Sequence, residues 1–166
     1  TFHLESAQAL FEKSIALLRE IDGTVAFPEE MLLSIDKLNA FLDTVQPDYV
    51  IVQNVTFANG AYIAEVLRRF TCPVLLWTLR EPVIDGTRLR LNSLTGAYSA
   101  ANMLKSFGRP FTYVFGSPEE ETVQKEIRAA IRAAQLKKAL SGLKLLQLPA
   151  ITQLYDNALA IGNMSS

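Results

Sequence analysis

One cysteine and one histidine occur in 166 residues, and their scarcity narrows the chemistry at once. Cys72 cannot close an internal disulfide, and a cysteine-based zinc site cannot be assembled from this chain alone. The thiol reads as a small buried apolar residue. His3 has no second imidazole or thiol with which to share a metal, so an exposed position near the head of the chain is expected for it. Long apolar runs are absent too. None reaches the roughly 20 residues of a membrane span, and Thr1-Phe2-His3-Leu4-Glu5-Ser6 has neither the basic flank nor the apolar stretch of a signal peptide. A cytoplasmic location is the default expectation. Charge of one sign is lacking: 16 basic residues against 17 acidic ones leave a formal net charge of −1, with no long block to neutralise phosphates or dock on anionic lipid. Nucleic acid and membrane surfaces are therefore not expected partners. Glycines occur, but not as G-x-G-x-x-G or a phosphate-binding P-loop, and Ser117 lacks a G-x-S-x-G frame, which argues against nucleotide binding and serine hydrolysis.

What is present is apolar material in a regular beat. The 49% hydrophobic content over 166 residues suits a single globular domain. Ser6 can cap a helix running to Ile21, with Leu10, Phe11, Ile15, Leu18 and Ile21 at helical spacing. Thr24 to Phe27 reads as a short extended segment. Pro28, followed by Glu29 and Glu30, reads as the start of a second helix that carries Leu32 to Leu42 and stops before Pro47. From Tyr49 onward, apolar runs alternate with helices. The runs are Tyr49 to Val52, Pro73 to Trp77, Phe111 to Phe115 and Leu143 to Leu148. The helices are Gly60 to Phe70, Leu94 to Phe107 and one opened by Ser117-Pro118 and ending at Gly142. Short strands apolar on both faces, separated by helices, predict an α/β fold: an open parallel sheet with helices on both faces, Rossmann-like or flavodoxin-like. The α/β domain is expected over residues 1–148, with a first central strand lying ahead of Thr1. Residues 149–166 break the beat and read as a stub or part of a following domain.

In such a sheet, ligands bind beyond the carboxyl ends of the strands. Those ends carry Thr56, Phe57 and Asn59 after the first run, Trp77, Arg80 and Glu81 at and after the second, and Asn92 and Ser93 before the next helix. Amides and hydroxyls beside an aromatic face suit a polyhydroxylated ligand. The competing reading is that Asn59 and Ser93 cap helices, Thr56 satisfies loop backbone and Trp77 belongs to the core. Glu119, Glu120 and Glu121 read as acids opposing a helix dipole rather than as a metal site.

Three blocks in order carry a family resemblance: Val52-Gln53-Asn54-Val55-Thr56-Phe57-Ala58-Asn59-Gly60, then Pro73-Val74-Leu75-Leu76-Trp77-Thr78 with Glu81-Pro82, then Arg88-Leu89-Arg90-Leu91-Asn92-Ser93-Leu94-Thr95-Gly96. Together they resemble the L-fucose isomerase-like family and, more distantly, the L-arabinose isomerases. The resemblance implies the amino-terminal domain of an aldose–ketose isomerase. Such an enzyme uses a divalent metal, usually manganese, whose ligands lie in later domains. It also implies a sugar substrate, a homo-oligomeric protein, and a Thr56-Phe57 loop and Asn92-Ser93 turn that face a substrate pocket, in some members a neighbouring subunit's. Where arabinose isomerases have Asn-Gln, this chain has Asn92-Ser93. No catalytic residue or metal ligand is expected within the chain, and the 166 residues alone are expected to be inactive. The alternative expectation is a non-catalytic α/β module that binds a small polar ligand or serves as an interaction domain.

Overall fold

The structure, a computed structural model, describes residues 3–84, 86 and 89–141. Three strands, β1 (Val50–Asn54), β2 (Val74–Thr78) and β3 (Phe111–Phe115), form a parallel sheet in the order β1-β2-β3. Val50 stands opposite Val74, and Val74 opposite Phe111. The helices are α1 (Leu4–Ile21), α2 (Ile35–Leu42), α3 (Ala61–Arg69), α4 (Ser93–Ser106) and α5 (Glu121–Ser141). The expected open parallel sheet is thus present, and its layers follow from period-two alternation along β2. Val74 and Leu76 turn toward Leu38, Ile63, Val66, Ala97 and Leu104 of α2, α3 and α4, while Leu75 and Trp77 turn toward Leu10, Leu18, Ile127 and Ile131 of α1 and α5. All five residues of β2 are buried, the two-sided burial that its unbroken apolar run demands. Each large side chain so buried contributes about 1.5–3 kcal/mol of transfer free energy.

Several boundaries differ from expectation. His3, not Ser6, is the N-cap of α1, its ring nitrogen Nδ1 accepting the Ser6 N–H at 3.3 Å. The Pro28 signal does not start α2. That helix begins at Ile35, where the Ser34 hydroxyl accepts from Lys37 N–H at 3.2 Å, and the stretch before it leaves Leu33 exposed. The run at Leu143, the helix end at Gly142 and the stub 149–166 lie outside the described residues.

At the amino edge of the sheet, the Tyr49 hydroxyl donates to Asp22 Oδ2 at 2.9 Å and Gln135 Nε2 donates to the same oxygen at 2.8 Å. The start of β1, the end of α1 and the last turns of α5 are thereby joined. Burial first, and the Asp22 carboxylate second, push the Tyr49 phenol well above its usual range. Beside β1, on the edge away from β2, a groove of about 610 Å³ runs between α1 and α2, lined by Leu18, Val25, Phe27, Phe41, Leu42 and Ile51 among others.

Candidate functional site at the carboxyl edge

Asn54 and Thr78 are register partners at the carboxyl ends of β1 and β2. Beyond them, the loop after β1 folds onto the start of α4. Gly96 permits this approach: a Cβ there would lie 3.0 Å from Ala58 N and from Asn54 Nδ2, and 3.2 Å from Thr56 O. Phe57 N–H donates to the Leu91 carbonyl at 3.1 Å, drawing the two loops together. Ser93 joins both to β2. Its hydroxyl, fully buried, accepts from Leu79 N–H at 3.1 Å and donates to the Asn54 carbonyl. One small side chain thus satisfies two buried backbone groups that would otherwise be orphaned.

Glu81 organises the turn that precedes α4. Its carboxylate accepts the backbone N–H groups of Arg90 and Leu91, each at 2.9 Å, and that of Asn92. Consecutive amides converging on one anion form a backbone nest, and Asn92 closes it with a left-handed φ of 56°. Asparagine is among the few residues that adopt this conformation readily. Thr95 Oγ1 donates to Asn92 Oδ1 at 2.6 Å, which leaves the amide Nδ2 hydrogens of Asn92 as its available donors.

A third tie spans β2 and the segment after β3. Arg80 Nε and Nη2 donate to the two carboxylate oxygens of Glu120 at 2.8 and 2.9 Å, and the Arg80 guanidinium lies 4.8 Å from the centroid of the Phe115 ring. Glu120 also accepts Ser117 N–H at 2.7 Å. The Arg80 hydrogen bonds first, and the Ser117 amide second, hold the Glu120 carboxyl down at about 2. Gly116, at φ 142°, is required here, since a Cβ would meet Val123 Cγ2 at 2.6 Å.

The structure therefore brings most of the sequence candidates to one edge. Thr56, Phe57, Arg80, Glu81, Asn92 and Ser93 share a hydrogen-bonded ridge across the tops of β1 and β2. Phe57 and Arg80 are exposed, whereas Thr56, Glu81 and Asn92 are half-buried. Asn59 is exposed and its Oδ1 accepts from Ala61 N–H at 3.0 Å, a capping role at the start of α3. Ser93 is a bridge rather than a cap. Trp77 lies in the core with no exposed surface, its Nε1 donating to the Gly116 carbonyl at 3.0 Å; a ligand at this edge would not reach either buried side chain. Sequence reasoning missed the part played by Glu120, and it read Glu119 as a dipole partner, whereas that side chain pairs with Lys13. Asn54 and Thr78, at the same strand ends, have Oδ1 and Oγ1 buried without a hydrogen-bond partner among the described residues.

The ridge offers neutral donors and an aromatic face, with its anions already engaged. Among the described residues, no three His, Cys, Asp or Glu side chains gather as a metal site would require. Glu81 is committed to three amides, Glu120 to Arg80, and His3 to the cap of α1. These residues do not fit a divalent metal centre.

Comparison with known proteins extends this picture. The family model described as "Fucose/sulfoquinovose isomerase, N-terminal domain" matches residues 4–141. The chain is 58% identical over 146 residues to a sulfoquinovose isomerase of Clostridium sp. (strain MSTE9). It is 40% identical over 148 residues to one from Priestia megaterium and 36% identical over 147 to one from Alkalicoccus urumqiensis. Each match covers 87% of this chain and 33% of the relative, so the chain spans about a third of the length of these proteins. With a parallel α/β sheet, a loop-rich carboxyl edge and a family match across all of the helices and strands described, the chain belongs to the fucose/sulfoquinovose isomerase amino-terminal domain family.

Proposed function

We propose that this chain forms one wall of the substrate pocket of a longer ketol-isomerase, and that sulfoquinovose or a closely related sugar is its substrate. The observation that carries the reading is the ridge itself. In a chain of this family, the Thr56-Phe57 loop and the Asn92 turn are locked side by side at the carboxyl edge, where parallel sheets place ligands. Phe57, 41% exposed, presents an apolar face to the C–H side of a sugar. The Nδ2 hydrogens of Asn92 and the hydroxyl of Thr56 can donate to its oxygens. Arg80 is neutralised by Glu120, so this wall orients substrate through neutral donors and excludes water rather than supplying charge.

Proton transfer, and the divalent metal (manganese by resemblance) that would polarise the carbonyl, belong in this reading to the remainder of the longer protein. That protein would be a cytoplasmic homo-oligomer. Exposed Leu94 and Tyr98, one turn apart on α4, suit contact with a neighbouring subunit.

The test is to measure sulfoquinovose isomerisation and thermal stability of the full-length protein carrying Phe57→Ala or Asn92→Gly. The glycine variant keeps the left-handed backbone while removing the amide. Loss of about tenfold or more in kcat/KM with stability changed by less than about 1 kcal/mol is expected. Unchanged kinetics, or losses that merely track unfolding, would assign these residues to the scaffold. The 166-residue chain alone, with manganese added, is expected to show no turnover.

A further inference from the structure

Strand β3 is an outer strand of the described sheet, and its side toward α4 is aromatic. Phe111, Tyr113 and Phe115 stand opposite Val74, Leu76 and Thr78, so they point to the face on which α4 packs. Tyr113 and Phe115 remain 44% and 37% exposed there, and Tyr98 of α4 is 70% exposed. Tyr98 and Phe111 line one shallow hollow with Ala101 and Pro110. A contiguous apolar surface of this kind marks a place of contact.

The backbone of β3 is open on the same edge. Gly116 N–H donates to the Thr78 carbonyl at 2.9 Å. By alternation, Thr112 and Val114 also face β2, while Phe111, Tyr113 and Phe115 turn their N–H and C=O groups outward. None of the five residues of β3 is charged or proline, so the strand lacks two of the devices that commonly blunt a free edge.

Two observations limit what can pair here. Helix α5 packs on the face of α1, opposite α3 and α4. A strand following α5 and laid parallel outside β3 would therefore need a left-handed crossover, which parallel sheets almost never use. The second observation is the sequence of the strand. Phe111-Thr112-Tyr113-Val114-Phe115 alternates aromatic and β-branched residues identically from either end. Two copies laid antiparallel about Tyr113 match residue type for residue type, which is the self-complementarity a two-fold interface requires.

We propose that β3 pairs antiparallel with β3 of a second copy of this chain, about a two-fold axis at Tyr113. Phe111 stands opposite Phe115 of the other copy and Tyr113 opposite Tyr113, each pair exchanging two N–H···O bonds. On the α4 face, the aromatic rings of both copies, with Tyr98, cover one another across the axis. Antiparallel pairing points the two carboxyl edges in opposite directions, so neither ridge obstructs the other. The pairing holds whichever substrate the longer protein takes.

The test uses the full-length protein carrying Tyr113→Cys. On the axis the two Cα atoms lie about 5.5 Å apart, within the span of a disulfide. Mild oxidation should convert most of the variant to a reducible covalent dimer and leave the unsubstituted protein unlinked. Formation of that dimer supports the pairing even where other contacts also hold the oligomer together, and its absence in the folded variant overturns it. Tyr113→Lys sets like charges opposite each other and is expected to lower the molar mass in analytical ultracentrifugation to about half. Hydrogen exchange on the unsubstituted protein decides the matter should the variants fail to fold. Protection of the Tyr113 and Phe115 amides that is lost on dissociation by dilution supports the proposal. Free exchange at both overturns it, and so does protection that survives in the monomer, which would assign the edge to a segment of the same chain.

Discussion

Arg80 and Glu120, 40 positions apart, meet in a two-bond ion pair that fastens the end of β2 to the segment entering α5. Glu120 is held at about 2 by Arg80 and by the Ser117 amide, against an ordinary value of 4.5. The pair therefore contributes fully above about pH 4.5, and its contribution fades as the pH falls toward 2. Asp22, lowered by the hydroxyl and backbone of Thr24, acts in the same direction. Melting temperatures measured between pH 2 and 6 should fall more steeply for the native chain than for Glu120→Gln. Parallel curves would show that the pair has no net effect.

Glu81→Gln should loosen the turn before α4. The neutral amide cannot accept three backbone N–H groups as the carboxylate does, and charge-assisted bonds are about twice as strong as neutral ones. The expected cost is about 1–3 kcal/mol, read by chemical denaturation, with faster amide exchange confined to residues 90–92. Uniform loss of protection throughout the sheet would contradict a local role.

Ser93→Ala removes the hydroxyl between Leu79 and Asn54 and leaves two buried backbone groups without their partner. A loss of about 1–3 kcal/mol follows. Ser93→Gly should be no milder, because the missing group is the hydroxyl. A neutral alanine variant would mean that the bridge adds nothing.

Trp77 is the sole tryptophan of the chain and has no exposed surface. Its emission should be blue-shifted and poorly quenched by iodide. Trp77→Phe should cost roughly 1–3 kcal/mol, combining lost packing with an unpaired Gly116 carbonyl. Efficient quenching in the folded chain would move this residue out of the core.

The strands were legible in the sequence because each is a short apolar run between helical patterns, a signal that local residues carry by themselves. Helix starts were less so. Pro28-Glu29-Glu30 has the composition of a first turn, but Ser34 has the geometry, and composition cannot decide between two nearby caps. The edge at which the candidates gather was also legible, since strand ends fix it. The partners were not. That Ser93 bridges Leu79 and Asn54, or that Glu120 rather than a ligand receives Arg80, depends on the register between segments tens of residues apart. No spacing in the chain encodes that register.

Glu81 ties off the chain at residues 90–92 as a knot closes a loop at its base. The intervening segment, from Pro82 to Leu89, can therefore vary in length and character while the start of α4 stays put, because closing a somewhat longer loop costs little. Insertions here should be tolerated where insertions between Asn92 and Gly96 are not. This makes the segment the natural place for related proteins to diverge while keeping the same ridge.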